Sequence, residues 1–207
     1  MPEKTIEVSL TQFINFATSQ DVKRVSTVET IQMQGGQSYD PKKDFYKRFR
    51  EQIVDVESGK IDISSISDLP SNLNDKKKIN NYKNLSEGYL DWKQKFNFKA
   101  TKTKNGIWKE GKLSIKVNPE IAIIDDTIPT YIKLYFKKEP IPKNKIKILL
   151  HIMHTALVPN FNGQVGILEV RSGKLHTLNE IDPRMTIYLK SEVSAFLTTW
   201  ELVKPLN

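Results

Sequence analysis

Apolar residues along this chain recur first at helical spacing and then, beyond residue 100, in alternation. Leu10, Phe13, Ile14 and Ala17 repeat at three- and four-residue steps behind Ser9, a good N-cap, and predict a helix ending near Ser19-Gln20. Val22, Val25, Val28 and Ile31 follow in a β-branched stretch that fits strand or helix. After the breaker Gln34-Gly35-Gly36-Gln37-Ser38, Asp40-Pro41 supplies an N-cap and a proline at the first helical position. The predicted helix runs to about Glu57, with Phe45, Phe49, Ile53 and Val56 inward. Residues 58–74 are polar, hold Gly59 and Pro70, and predict a loop. Ile79, Tyr82, Leu85, Tyr89, Trp92 and Phe96 then stripe a long helix from about Asp75 to Phe96.

The period changes after residue 100. A short strand at Ile107-Trp108 precedes Leu113, Ile115 and Val117, which alternate with Ser114, Lys116 and Asn118 as in a half-buried strand. Ile121–Ile124 extends or repeats it. Tyr131, Lys133, Tyr135 and Lys137 alternate with Ile132, Leu134 and Phe136, predicting a core face and a basic face. Pro140-Ile141-Pro142 opens a helix over about 143–157, Gln164–Val170 and Leu175–Leu178 form a hairpin around Arg171-Ser172-Gly173-Lys174, and Asp182-Pro183 starts a closing helix. The expected fold is α+β: a helical portion at 1–100 packed on a mixed sheet at 101–207 with order β-β-β-α-β-β-α, as two units or one continuous domain.

Charge sharpens this picture. The net charge is +8, and it is uneven: residues 1–100 carry 16 Lys and Arg against 14 Asp and Glu, residues 101–207 carry 16 against 10. An excess of this kind draws nucleic acid, phosphate-bearing ligands or an acidic protein partner. With no cysteine the chain has no disulfide framework, thiolate zinc site or cysteine nucleophile. The acidic N-terminus lacks the apolar region of a secretory signal, and the run from Ile146 to Val158 is too short to span a bilayer, so a cytoplasmic protein without membrane contact is expected. His151 and His154 share a helix face at a spacing zinc uses, without a third ligand nearby in the sequence.

One stretch carries more specific chemistry. In Val117-Asn118-Pro119-Glu120 an acid follows a proline, and Tyr131-Ile132-Lys133 follows on the next strand. With the element order, these residues resemble the PD-(D/E)XK nuclease-like core over residues 106–203. That resemblance implies a magnesium ion on Glu120 and a second carboxylate, and Lys133 as the stabiliser of phosphoryl charge. Where the family has an acid, this chain has Tyr131. Glu169 on the following strand, or Glu51 from an N-terminal helix, would have to supply the missing oxygen.

A core that has lost a metal ligand implies retained binding without hydrolysis. Lys116, Lys133, Lys137 and Lys138 would supply charge, and Tyr131 and Tyr135 rings for stacking, as in single-strand binders. The competing expectations are a protein–protein adaptor using Trp92, Trp200 or the Tyr131/Tyr135 face, and a magnesium-dependent nuclease built on Glu120, Glu169 and Lys133. The expected cofactor is accordingly none, or magnesium if catalysis survives.

Overall fold

Ser9 sits where an extended segment turns into a helix, and its side chain settles the change of direction. In this computed structural model, which describes residues 5–35, 44–96, 98–125, 127–178 and 180–203, β1 (Ile6–Ser9) runs directly into α1 (Leu10–Ala17). Ser9 Oγ accepts from the Gln12 N–H at 3.2 Å, and Gln12 Oε1 accepts from the Ser9 N–H at 2.8 Å. This reciprocal capping box satisfies two donors that the first helical turn leaves open. The ambiguous valine stretch is helical, as α2 (Val22–Gly35), with Val28 and Ile31 buried and Val22 and Val25 exposed.

The expected helix start at Asp40-Pro41 lies outside the described residues. What is described is α3 (Lys47–Glu57), which buries Phe49 and Ile53. The expected loop at 58–74 instead contains α4 (Ser64–Asp68) and a 3-10 turn at Leu69–Asn72. Ile66 and Leu69 anchor that segment at 0% and 2% exposure, a tertiary effect too sparse to show as a period. Then α5 (Lys76–Lys95) begins where Asp75 accepts from the Lys77 and Lys78 N–H groups. The cap places an anion beside the positive helix end and so offsets the three lysines there.

The strands β2 (Lys99–Thr101), β3 (Gly106–Glu110), β4 (Leu113–Val117), β5 (Ile121–Asp125) and β6 (Ile128–Tyr135) precede α6 (Lys143–Phe161). They are followed by β7 (Gln164–Glu169), β8 (Lys174–Thr177) and α7 (Pro183–Leu202). The fold is mixed α+β, but the single sheet expected from the sequence is two mixed sheets, ordered β1-β4-β3 and β2-β5-β6-β7-β8. The order therefore departs from expectation, with five strands, β2 to β6, between α5 and α6 divided between the two sheets. Pro119 falls between β4 and β5, where a residue without an N–H cannot continue the ladder, so Ile121–Asp125 opens a second sheet rather than extending the first. β1 was not foreseen. It pairs in parallel with β4, so residues of the N-terminal portion complete a sheet of the C-terminal one.

The central strands of the five-stranded sheet, β5, β6 and β7, are covered on both faces, while the edge strand β2 is exposed. Along β6, Tyr131 belongs to one hydrophobic cluster, shared with α1, α6, α7 and the three-stranded sheet, while Ile132 and Leu134 belong to another, under α3, α4 and α5. Val165 and Ile167 of β7 face the first cluster, and Leu168 the second. Period-two alternation thus separates two cores, not a core from solvent. Two glycines let backbones meet closely: a Cβ on Gly106 would lie 2.6 Å from the Ala156 carbonyl oxygen of α6, and one on Gly88 would lie 2.2 Å from that of Val170. No helix among the described residues is long and apolar enough to cross a membrane.

Candidate nucleic-acid interface

Antiparallel pairing of β5 with β6 places Ile121 opposite Ile132, and the Glu120 N–H donates to the Ile132 carbonyl at 3.0 Å. One step further, Glu120 and Lys133 meet. Lys133 Nζ donates to Glu120 Oε1 at 2.5 Å and to the Asn118 carbonyl at 3.0 Å, and Glu120 Oε2 accepts from the Leu134 N–H at 2.9 Å. The side chains are 13% and 24% exposed, so each charge is partly withdrawn from water and balanced by its partner.

Glu169 pairs with Tyr135 across β6 and β7, which puts it on the same sheet face as Lys133. Its carboxylate is also engaged: Oε1 lies 2.6 Å from His176 Nε2, and Oε2 accepts from the Ile141 N–H at 3.4 Å. From strand spacing, two ladders across and two residues along, its backbone lies roughly 12 Å from that of Glu120. Each glutamate would have to abandon its partners to reach a common ion. Glu51 is on α3, which packs against the other face, and it pairs with Lys47 at 3.6 Å.

These donors do not fit a magnesium ion. Magnesium needs hard oxygens converging on one octahedral shell, whereas the two carboxylates sit apart on the sheet, each oxygen already engaged by one protein partner, and Lys133 places an ammonium on Glu120. Among the described residues no group of three His, Cys, Asp or Glu side chains is placed to hold a metal. His151 is buried and has Thr186 Oγ1 at 3.2 Å from its Nε2. Burial holds its pKa, and that of His154, below the ordinary histidine value.

Tyr131 is 3% exposed and packs in the first core, with its hydroxyl donating to the Phe161 carbonyl at 3.4 Å. A ring buried there cannot stack on a base, so Tyr131 leaves the set of contact residues. Tyr135 is half-buried and donates to the Glu139 carbonyl at 3.0 Å. Of the expected partner-facing tryptophans, Trp92 is fully buried and Trp200 is partly so.

The lysines are differently placed. Lys116 and Lys133 line a 380 Å³ cavity between β1, the start of α1, the end of α2 and β4. Lys137 lines an adjoining 550 Å³ cavity between α1, α2 and α6, where Lys23 and Lys145 join it. Gln12, Ile31 and Gln34 line both cavities, which therefore adjoin as the two halves of one groove, and Gln12 Nε2 donates to Gln34 Oε1 at 3.2 Å among these shared residues. Five lysines and a single acid, Glu7, line it. Lys116 is ion-paired with Glu7 at 2.8 Å and Lys133 with Glu120, whereas Lys23, Lys137 and Lys145 have no acidic partner among the described residues. Lys138 is exposed but lines neither cavity.

Sequence reasoning missed Lys23 and Lys145. The available signal was the polar stripe Lys23, Thr27, Thr30 and Gln34 at helical spacing, which was hidden while the stretch 22–31 fitted strand or helix equally. No protein-family model matches the chain, and a search of curated proteins found no match.

Proposed function

We propose that the protein associates with nucleic acid, holding a polynucleotide backbone along the lysine-lined groove, and that it does not hydrolyse it. The observation that carries this reading is the groove's charge: five lysines against one acid, three of those lysines without an acidic partner among the described residues. Phosphates provide the missing counter-charge, and the counterions they release favour binding. What supports the non-hydrolytic part is Glu120, whose carboxylate is paired with Lys133 and the Leu134 N–H, and the buried phenol at Tyr131.

Fluorescence anisotropy with labelled single-stranded and double-stranded DNA and RNA, over a salt series, tests the proposal. Three uncompensated lysines correspond to a log–log salt slope of about −2 on single strands. Affinity should then fall about twentyfold between 50 and 200 mM salt, and Lys137→Ala should flatten the slope by about 0.7. Affinity indifferent to salt would reject the groove. Cleavage that requires a divalent ion and stops with chelator would reject the non-hydrolytic part.

A further inference from the structure

The half of the groove formed by α1, α2 and α6 differs from the rest in holding lysines and no acid. Its 550 Å³ cavity lies in the size range of small-molecule sites. Lys23 enters from α2, Lys137 from the segment after β6, and Lys145 from the first turn of α6. Lys145 is half-buried, and its Nζ donates to Asn15 Oδ1 at 2.9 Å, a neutral acceptor that leaves the charge uncompensated. That first turn contains no acidic residue, and Pro142 provides no side-chain cap, so the positive end of the helix dipole adds charge of the same sign.

The hydroxyl groups of the cavity point to a second property of its occupant. Thr18 and Ser19 donate to the carbonyls of Ile14 and Asn15 at 2.7 and 2.6 Å. Ser26 and Thr27 donate to Lys23, at 3.1 and 2.7 Å, and Thr30 to Ser26 at 2.8 Å. With their hydrogens spent on helix carbonyls, these oxygens offer lone pairs. The cavity thus combines ammonium donors for an anion with hydroxyl acceptors for groups that donate.

We infer that this cavity is a binding site for a phosphate monoester carried on a hydroxylated group, with Lys23, Lys137 and Lys145 on the phosphate and the α1 and α2 hydroxyls on its carrier. A sugar phosphate and the 5′ end of an RNA strand both have this chemistry. The site uses the three uncompensated lysines that also carry the function proposed above and so deepens that reading, but it needs no polynucleotide along the Lys116 and Lys133 half, so binding of a small phosphate ester and binding of an oligonucleotide can fail separately. Burial, and then the neighbouring Lys137, hold the pKa of Lys145 below the ordinary lysine value. Burial therefore opposes the Lys145 charge, and a bound phosphate would offset that opposition.

Isothermal titration at constant ionic strength, with ribose 5-phosphate, inorganic phosphate and a 5′-phosphorylated oligoribonucleotide beside its 5′-hydroxyl twin, tests this. Saturable one-to-one binding of ribose 5-phosphate is expected, tighter than that of inorganic phosphate. It should weaken at least about tenfold in Lys137→Ala and in Lys145→Met, the loss of one charge-assisted hydrogen bond. Lys116→Ala should leave it unchanged while weakening oligonucleotide binding, which separates this site from the rest of the groove. Lys145→Met should also raise the melting temperature of the unliganded protein, because it removes a half-buried, uncompensated charge, so lost binding cannot be mistaken for unfolding. Preference for the 5′-phosphorylated twin, lost in Lys137→Ala, assigns the polynucleotide end, and equal binding of the twins assigns a small free phosphate ester; either upholds the site. No saturable binding by any phosphate probe, or binding undiminished in both variants, overturns it.

Discussion

Glu120→Gln separates the two uses that the sheet edge could have, because it removes a charge and keeps the shape. In the folded chain Lys133 is spent on Glu120, so its ammonium contributes little to the groove. The variant keeps an acceptor for the Leu134 N–H but loses the charge-assisted bond to Lys133, a change of about 2 kcal/mol in stability. The pair is only partly withdrawn from water, which keeps this cost below that of breaking a fully buried pair. Lys133, still bonded to the Asn118 carbonyl, then becomes available to a phosphate. One further contact steepens the salt slope on single strands from about −2 to about −3. At 0.1 M salt that contact tightens binding about fivefold. Urea unfolding and anisotropy on the same preparation read both quantities, and stability and affinity should move in opposite directions. If affinity falls along with stability, or the slope is unchanged, Lys133 is not a groove residue. If the wild-type chain cleaves with magnesium and the variant does not, Glu120 is a catalytic carboxylate and the non-hydrolytic reading is wrong.

Gly88→Ala should destabilise the chain by roughly 2 kcal/mol in urea unfolding, although helix propensity alone predicts a gain of about 1 kcal/mol. The added methyl would lie 2.2 and 2.3 Å from the carbonyl oxygens of Val170 and Arg171, which are backbone and cannot rotate away; a neutral or stabilised variant would refute the packing of α5 on the β7–β8 turn. Burial, and then the Glu57 carboxylate that accepts its hydrogen bond, hold the Tyr89 phenol far above its ordinary pKa of 10.0. The unfolded chain therefore loses this proton first, so the contribution is complete below pH 10 and is lost above it. Above that pH, wild-type stability should fall more steeply than that of Tyr89→Phe, by about 1.4 kcal/mol per pH unit, and parallel pH profiles would refute the assignment.

Local signals were legible wherever one side chain decides local geometry. Ser9 caps its helix as its position suggested, and the stripe from Tyr82 to Trp92 is core. The alternation at Leu113, Ile115 and Val117 marked β4 correctly. Pairing between distant segments was not legible. β1 is four residues long and gains its place only from the edge of β4, more than a hundred residues away. Two sheets read as one because alternation reports that neighbouring side chains point to opposite sides, without saying what covers each side. At β6 this misled in a specific way. Tyr131 and Lys133 share a face, so both were expected in solvent, yet that face is covered at Tyr131 and opens only near Lys133. The close pairing of Glu120 with Lys133 was the part of the candidate site visible in the sequence, since a turn followed by two alternating strands brings these positions opposite each other.

The same burial bears on how such a sheet could keep a role in binding. Tyr131 fills its core position with a ring whose hydroxyl donates to the Phe161 carbonyl, so this part of the sheet carries no charge that would need a metal or a basic partner. Lys133 is balanced by Glu120, and the two neutralise each other at the sheet edge. Uncompensated positive charge is then left not on the sheet but between α1, α2 and α6, where no acid lines the wall. Electrostatics therefore separates the Glu120 and Lys133 pair from the lysines whose charge is left uncompensated. A chain arranged in this way gains nothing from magnesium for binding. Added magnesium should weaken nucleic-acid binding only as a competing cation, to the same extent as calcium at equal concentration, and a stimulation specific to magnesium would show that the carboxylates of β5 and β7 still cooperate.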